Sequence, residues 1–369
     1  MSQKPNPNKY QNLVSVKSCG VIATRNSRFR RTMEDAHIVV DKLGDKEDQG
    51  FFGVYDGHGG SQASNFCKEH LHIEFQKLLK EKEEKEEKEE KKEEKEQEKE
   101  QQNEKETTEE KENIDKITEI WKKTYYNIDF QLKNNGIEYP GTTVITSFIR
   151  KEEEKRVLYT ANVGDARGVL CRNGVAQRLS FDHKASVVEE QERIINQGGF
   201  ITNNRVVGMI AITRSLGDHS IKEYIINEPY TSRFELTEED KFIILACDGV
   251  WDVMEDQDVV DLVKDMNHSQ EMAKKILMTA LDKGSTDNIS EFTYWINRQL
   301  TRRGMWIENF EEQLFDGVIL CHVLEIITEK DLKFKKNPKN KIIITSNFHL
   351  IVQEIQKSGV NISVNVSGK

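Results

Sequence analysis

Carboxylates stand at strand ends or in turns in several widely separated segments of this chain. The most distinctive is Asp56, which follows an apolar run and precedes Gly57-His58. The other acidic residues of this kind are Glu34, Asp35, Asp248 and Asp287. Carboxylate oxygens select hard cations such as Mg²⁺ or Mn²⁺. Two such ions can make water nucleophilic and hold a phosphoryl group. The pattern therefore favours a two-metal hydrolytic centre over a lone catalytic acid.

The elements that must position these carboxylates can be read from the apolar patterning. Residues 51–55 and 242–247 are short apolar runs that predict buried strands ending next to Asp56 and Asp248. Apolar residues at helical spacing after Gly59-Gly60, and again up to Leu132, predict two amphipathic helices. Asn173-Gly174 between apolar runs predicts a hairpin. Two further predictions are a strand over 14–24 and one continuous helix over 259–281.

Composition is dominated by one low-complexity insert at 80–112. It holds 17 Glu and 10 Lys, and thus seven of the ten net negative charges of the 369-residue chain. Its residues cannot form a core, which indicates a solvated helix or a disordered loop. An interaction arm is the alternative. The remaining length leaves room for two domains.

Several classes of protein are disfavoured. No basic face with interleaved aromatics indicates nucleic-acid binding, and no run is apolar and long enough to span a membrane. Ser2 replaces the glycine that N-myristoylation requires. The cysteines are odd in number and lack a Cys-x-x-Cys pair: Cys19, Cys67, Cys171, Cys247 and Cys321. We expect a monomer in the reducing cytoplasm, with the nucleus as a second location.

The ordered set of motifs resembles the metal-dependent Ser/Thr protein phosphatases, the PPM family or protein phosphatase type 2C. The motifs are Arg30-Arg31-Thr32-Met33-Glu34-Asp35-Ala36-His37, Val54-Tyr55-Asp56-Gly57-His58-Gly59-Gly60, Gly141-Thr142-Thr143, Asn162-Val163-Gly164-Asp165-Ala166-Arg167, Asp182-His183-Lys184, Arg214-Ser215-Leu216-Gly217-Asp218, Ala246-Cys247-Asp248-Gly249-Val250-Trp251-Asp252 and Asp287-Asn288. Each is weak alone, since Asp-Gly and Asp-Asn pairs are usually turn residues. Together and in order they are specific.

The resemblance implies the metal ligands. Asp56 would bridge two Mg²⁺ or Mn²⁺ ions. Asp248 and Asp287 would complete one site, and Glu34 with the backbone carbonyl of Gly57 would complete the other. A water or hydroxide bridging the ions would attack phosphorus.

The remaining roles also follow from the resemblance. Asp35 would orient metal-bound water, and Asp165 with Asp248 would form a third, weaker metal site. Arg30 would hold the substrate phosphate, which suits the bidentate guanidinium. His58 would be the general acid, because a leaving alkoxide is strongly basic and needs a proton donor that works near neutral pH. Taken alone, His58 is as readily a capping or core histidine.

The expected fold is α+β: residues 1–290 would form a four-layer αββα sandwich of two antiparallel sheets flanked by helices. The layout comes from the resemblance, and the strand and helix pattern is compatible with it. Residues 291–369 resemble a truncated, all-α calponin homology domain through Phe292-Thr293-Tyr294-Trp295-Ile296-Asn297, Leu300, Ile307-Glu308-Asn309, Leu314, Asp316-Gly317, Leu320, Leu324-Glu325 and Asn347. The two resemblances conflict at residues 292–296. The phosphatase pattern assigns them to its last strand, and the calponin homology pattern assigns them to its first helix. A true fusion and a misjoined or truncated gene model both explain this.

Three functions remain open at this stage. The first is hydrolysis of phosphoserine and phosphothreonine in phosphorylated proteins. The second is a pseudophosphatase or actin-linked scaffold, with actin filaments as a partner of the C-terminal segment. That segment could equally be a helical tail without actin contact. The third is a two-metal phosphohydrolase of small molecules.

Overall fold

The structure, a computed structural model, combines strands rich in β-branched and aromatic residues with helices. It describes residues 13–26, 29–96, 106–287, 318–328, 332–334, 347, 350, 351, 353 and 357. The strands are β1 (Ala36–Asp41), β2 (Gly50–His58), β3 (Gly141–Glu152), β4 (Lys155–Val163), β5 (Arg167–Arg172), β6 (Val175–Arg178), β7 (Ile201–Thr202), β8 (Arg205–Val206), β9 (Leu216–Gly217), β10 (Tyr230–Leu236) and β11 (Asp240–Ala246). The helices are α1 (Gln62–Glu96), α2 (Glu106–Asn134), α3 (Val188–Asn196), α4 (Asp248–Trp251), α5 (Asp256–Val263), α6 (Ser269–Asp282) and α7 (Val318–Thr328).

The strands form two main antiparallel sheets. The first has the order β1-β2-β3-β4-β10, and β9 pairs with the start of β3. The second has the order β11-β5-β6. Strands β7 and β8 form a separate small ribbon. The predicted hairpin is present between β5 and β6, where Asn173 and Gly174 adopt φ values of 49° and 79° as a tight turn with positive φ requires.

Three apolar clusters stack these sheets and helices into four layers. One packs α1 and α2 on the first sheet and includes Phe75 and Trp121, whose ring centroids are 4.0 Å apart. A second packs α5 and α6 on the other sheet. A third joins the two sheets through residues such as Leu158 and Leu170. The predicted αββα sandwich is confirmed.

Two local predictions are wrong. Residues 14–24 are not a strand, because side chains take up their backbone groups: the Asp41 carboxylate accepts from the amides of Val14 and Ser15, and Gln270 bonds the Val21 backbone. Residues 259–281 are not one helix, since α5 ends at Val263 and α6 starts at Ser269.

The charged insert is helical on both sides of residues 97–105, which the structure leaves undescribed. Helix α1 continues to Glu96 and α2 begins at Glu106. The described part of each helix that packs on the sheet lies outside the insert. Leu79 is the last described buried residue of α1, and Ile117 is the first of α2. Within the described chain, no helix has the length and apolar character needed to cross a membrane.

The chain divides into two compact units, Met1–Ile289 and Ser290–Lys369. In the second unit the structure describes α7, where Cys321 is buried and Glu325 accepts a hydrogen bond from the Leu332 amide at 2.9 Å. Residues 292–296, on which the two sequence interpretations conflict, lie outside the described residues.

Candidate functional site

Strand β2 presents Asp56 and His58 on the same face, because side chains two residues apart in a strand point the same way. Asp56 lies opposite Thr143 of β3. The turn after β4 lies against the same position, since a Cβ on Gly164, which has φ +82°, would stand 2.6 Å from the Thr143 Cβ. Asp165 follows this glycine and thereby reaches the end of the first sheet.

Gly57 lets the segment that carries Glu34 lie directly on β2. A Cβ on Gly57 would overlap the carbonyl oxygen of Glu34 and lie 2.8 Å from Ser64 Oγ. That hydroxyl donates a hydrogen bond to the Glu34 carbonyl. The Glu34 carboxylate accepts from Thr32 Oγ1 at 3.0 Å. Only glycine at position 57 permits this approach.

Asp248 and Asp287 meet through a second glycine. Asp248 opens the short helix α4 directly after β11 and Cys247. A Cβ on Gly249 would stand 2.9 Å from the Asp287 Cβ, so the two acidic segments are packed against each other.

The acidic residues lie close enough together to shift one another's pKa values. Burial raises the pKa of Asp56 well above its usual value, and the charges of Asp248, Asp35, Asp165 and Asp287 raise it further. Burial, then Asp165 and Asp287, raise the pKa of Asp248 to about 8. The structure thus brings together five of the predicted acidic residues, Asp35, Asp56, Asp165, Asp248 and Asp287, from five separate chain segments. An uncompensated group of this kind is costly without cations.

The donor set fits hard divalent cations, because it is built of carboxylate oxygens. The Cys247 thiol beside it stays protonated, since burial and the neighbouring aspartates raise its pKa. Among the described residues, no three His, Cys, Asp or Glu side chains lie close enough together to coordinate a metal ion in the present arrangement. The site therefore has the chemistry and charge for metal, and the carboxylates would have to draw together around it.

The chain's own cations contact two of the carboxylates. Arg30 Nη2 lies 2.6 Å from Asp287 Oδ1. Lys184 Nζ lies 3.6 Å from Asp165 Oδ2 and 2.9 Å from Asp252 Oδ1. Arg30 is thus at the acidic site, as predicted, with a half-exposed side chain. Lys184 received no role from the sequence, although its Asp182-His183-Lys184 motif was recognised.

His58 makes a contact that the sequence analysis missed. Its Nε2 lies 2.8 Å from Asp218 Oδ2, across 160 residues of chain. Asp218 ends one of the recognised motifs but was given no function. No sequence signal pairs it with His58, because the contact depends on β9 joining the start of β3.

Comparisons with known proteins place the chain in a family. Residues 19–289 match the sequence model of the family "Protein phosphatase 2C". The relative "Protein phosphatase 2C homolog 1" of Saccharomyces cerevisiae is 37% identical over 284 residues, which cover 73% of this chain and 90% of that protein. The protein of the same name from Schizosaccharomyces pombe is 38% identical over 275 residues, 73% of this chain and 71% of its own.

Solved structures show the same fold. The serine-threonine phosphatase 2C of Toxoplasma gondii superposes with a TM-score of 0.57 at 21% identity, covering 69% of this chain and 86% of that one. A sex-determining protein of C. elegans gives a TM-score of 0.56 at 23% identity, covering 72% and 61%.

The C-terminal part matches a different family model. Residues 287–366 match "Calponin homology (CH) domain", in agreement with the sequence resemblance. The phosphatase match covers almost three quarters of the chain, and it includes every residue of the acidic site. The chain is therefore an enzyme of the protein phosphatase 2C family, followed by a calponin homology segment.

Proposed function

We propose that this chain hydrolyses phosphoserine and phosphothreonine in proteins with the help of two divalent cations, Mg²⁺ or Mn²⁺. The observation that supports this best is the mutual repulsion of the carboxylates around Asp56, in a chain of this family. A buried group of carboxylates repels a dianionic phosphate, even beside an arginine. Bound cations would reverse the charge of the carboxylate group and let the phosphate bind.

The proposed ligands are Asp56 between the two ions, Asp248 with Asp287 for one, and Glu34 with the Gly57 carbonyl for the other. Bound cations would supply a water of lowered pKa and neutralise charge on the phosphoryl group. We assign Asp35 to orienting that water, and Asp165 with Asp248 to a third, weaker site.

Arg30 would bind the substrate phosphate. Its guanidinium contacts Asp287 through Nη2, and its side chain is 49% exposed, so the rest of the planar fork is open to an incoming phosphate. His58, on the same strand face as Asp56, would donate a proton to the leaving serine or threonine oxygen.

The test is hydrolysis of p-nitrophenyl phosphate and a phosphothreonine peptide by the full chain, with Mn²⁺ and then with EDTA. We expect activity only with the metal, and a loss of at least about 1,000-fold in Asp56→Asn, since the substitution removes the shared ligand. Activity that survives EDTA, or an Asp56→Asn variant as active as the wild type, would exclude the two-metal mechanism. Hydrolysis of the small ester without any of the peptide would instead favour a small-molecule phosphohydrolase.

The calponin homology match supports a second candidate, an actin-linked scaffold. Co-sedimentation of the full chain with filamentous actin tests it. Binding that persists in Asp56→Asn would show that actin contact does not depend on the metal site, and absence of the chain from the pellet would remove this candidate.

A further inference from the structure

We propose that Asp218 is a positioning residue, which holds the His58 imidazole for proton transfer to the leaving oxygen. This inference rests on the proposed function of the site. It adds a residue to which neither the sequence pattern nor the comparisons give a role.

The hydrogen bonds fix which nitrogen of His58 delivers the proton. A carboxylate only accepts, so His58 Nε2 must donate to Asp218 Oδ2, 2.8 Å away. The Ser215 hydroxyl donates to the same oxygen at 2.5 Å. The Asp218 side chain is only 8% exposed, whereas that of His58 is 30% exposed. Nδ1 is therefore the nitrogen left for substrate, and the buried carboxylate fixes the orientation of the imidazole ring.

Two glycines allow the side chains of His58 and Asp218 to approach each other. Gly141 lies opposite His58 of β2 and opposite Gly217 of β9. A Cβ on Gly141 would overlap both Asp218 Oδ2 and His58 Nε2. Gly217, with φ +87°, has no room for a Cβ either, because it would overlap the Pro140 carbonyl oxygen. Two glycines thus clear the path between a strand and a turn that are distant in sequence.

A purely structural role for Asp218 would be to cap the short 3-10 turn His219–Ile221. Asp218 occupies the cap position with left-handed backbone angles, φ 52° and ψ 37°, but its side chain makes no capping hydrogen bond. The carboxylate points to Ser215 and His58 instead. Asp129 instead stabilises this turn, because its Oδ1 accepts hydrogen bonds from the Gly217 amide at 2.8 Å and from Lys222 Nζ at 2.9 Å.

The experiment compares substrates whose leaving groups differ in basicity, using the full chain with Mn²⁺. p-Nitrophenolate leaves without much need of a proton, whereas a serine or threonine alkoxide does not. We expect Asp218→Asn to lower kcat for a phosphothreonine peptide by about 10- to 100-fold, a share of the ~10²–10⁴ that a positioned acid contributes. KM should stay unchanged, and kcat for p-nitrophenyl phosphate should fall by less than about threefold.

Two comparisons separate positioning from general damage. Asp129→Asn disturbs the same turn without touching His58, so any loss should be equal for both substrates. In a His58→Ala background, Asp218→Asn should cause no further loss, because the residue acts through His58. An equal loss on both substrates in Asp218→Asn, no loss on the peptide, or an undiminished loss in the His58→Ala background would each overturn the proposal.

A milder variant covers the case in which Asp218→Asn does not fold. Ser215→Ala removes one hydrogen bond to Asp218 Oδ2 and should give the same dependence on leaving group at smaller amplitude, and equal effects on both substrates would overturn the proposal. Failure of the proposed function is distinct from these outcomes, because the wild-type chain would then hydrolyse neither substrate with Mn²⁺, and the role of Asp218 would fall with it.

Discussion

The Arg30 guanidinium contacts one anion, the Asp287 carboxylate, and is the proposed contact for a second, the substrate phosphate. It neutralises Asp287 at 2.6 Å, and the same fork is the proposed contact for the substrate phosphate. Its neighbour Arg31 is also exposed, and we found no side-chain contact to the acidic site for it among the described residues. The two adjacent arginines therefore form a matched pair for testing phosphate recognition.

Arg30→Ala should raise KM for a phosphothreonine peptide by about 10- to 100-fold, because a charge-assisted bidentate contact is lost. Arg30→Lys should recover only part of the affinity, since an ammonium lacks the planar fork. Steady-state kinetics with saturating Mn²⁺ measures this. Arg31→Ala is the control and should change KM by less than about twofold. Equal effects in the two alanine variants would contradict the assignment.

The burial of Asp248 and its repulsion by Asp165 and Asp287 predict a pH dependence of stability in the metal-free chain. Its pKa in the fold, about 8, lies above the usual Asp value. The folded chain binds this proton more tightly than the unfolded chain does. The free energy of unfolding therefore falls as pH rises from the ordinary Asp pKa towards about 8, and the stabilisation is lost above it. Buried His183 has the opposite effect at lower pH, since burial lowers its pKa to about 4 and stability is lost as pH falls.

The measurement is the free energy of unfolding in EDTA from about pH 6.5 to about pH 8, where the contribution of His183 is small and equal in the wild type and in Asp248→Asn. The wild type should lose about 2 kcal/mol more than Asp248→Asn over this range. Parallel curves for the two chains would refute the raised pKa. Adding Mn²⁺ should stabilise the wild type more than the variant, because the ion relieves the repulsion.

At the scale of elements, glycines decide where the site residues meet. Gly57, Gly249 and Gly141 each lie where a Cβ would strike a functional segment. The apolar strand pattern was enough to predict β2 and β11, which deliver Asp56 and Asp248. It could not predict that β9 would pair with β3 and carry Asp218 to His58. It also failed for residues 14–24, whose amides bond the Asp41 carboxylate, because such contacts leave no periodic signal.

Gly249→Ala should weaken metal binding without unfolding the protein. Alanine favours the helical conformation of α4 by up to ~1 kcal/mol over glycine. Its Cβ, however, would stand 2.9 Å from the Asp287 Cβ and push that carboxylate aside. We expect the Mn²⁺ concentration for half-maximal activity to rise by about tenfold.

Gly174→Ala is the control for this prediction. It strains the distant β5–β6 turn, where φ is +79°, and should lower the melting temperature while leaving the Mn²⁺ requirement unchanged. A Gly249→Ala chain with the wild-type Mn²⁺ requirement would show that Asp287 tolerates the displacement or is not a ligand.

Over the whole molecule, the phosphatase and calponin homology matches meet at one short stretch. The first ends at residue 289 and the second begins at residue 287. The division into compact units falls at the same place, after Ile289. Asp287 thus lies in both matches, two residues before the end of the first unit in the sequence.

The Lys/Glu insert can be tested apart from the core, because Leu79 of α1 and Ile117 of α2 are the described buried residues that lie nearest to it on either side. Glu83, 2.8 Å from Lys46, is the last residue of α1 with a described contact to the sheet side. Replacing residues 86–112 by a short Gly-Ser turn should leave stability within about 0.5 kcal/mol, since so charged a segment cannot form a core and a shorter loop is easier to close.

The same shortened chain distinguishes the two interpretations of the insert. A solvated helical extension predicts unchanged kcat/KM for both p-nitrophenyl phosphate and a folded phosphoprotein. An interaction arm predicts normal turnover of the small ester and reduced kcat/KM for the protein alone, because only the larger substrate can reach the arm. A deeper deletion of 78–118 is the control for packing: it removes Leu79 and Ile117 and should lower the melting temperature sharply. Loss of activity on the small ester in the 86–112 variant would contradict both interpretations, since it would mean that the insert supports the catalytic site.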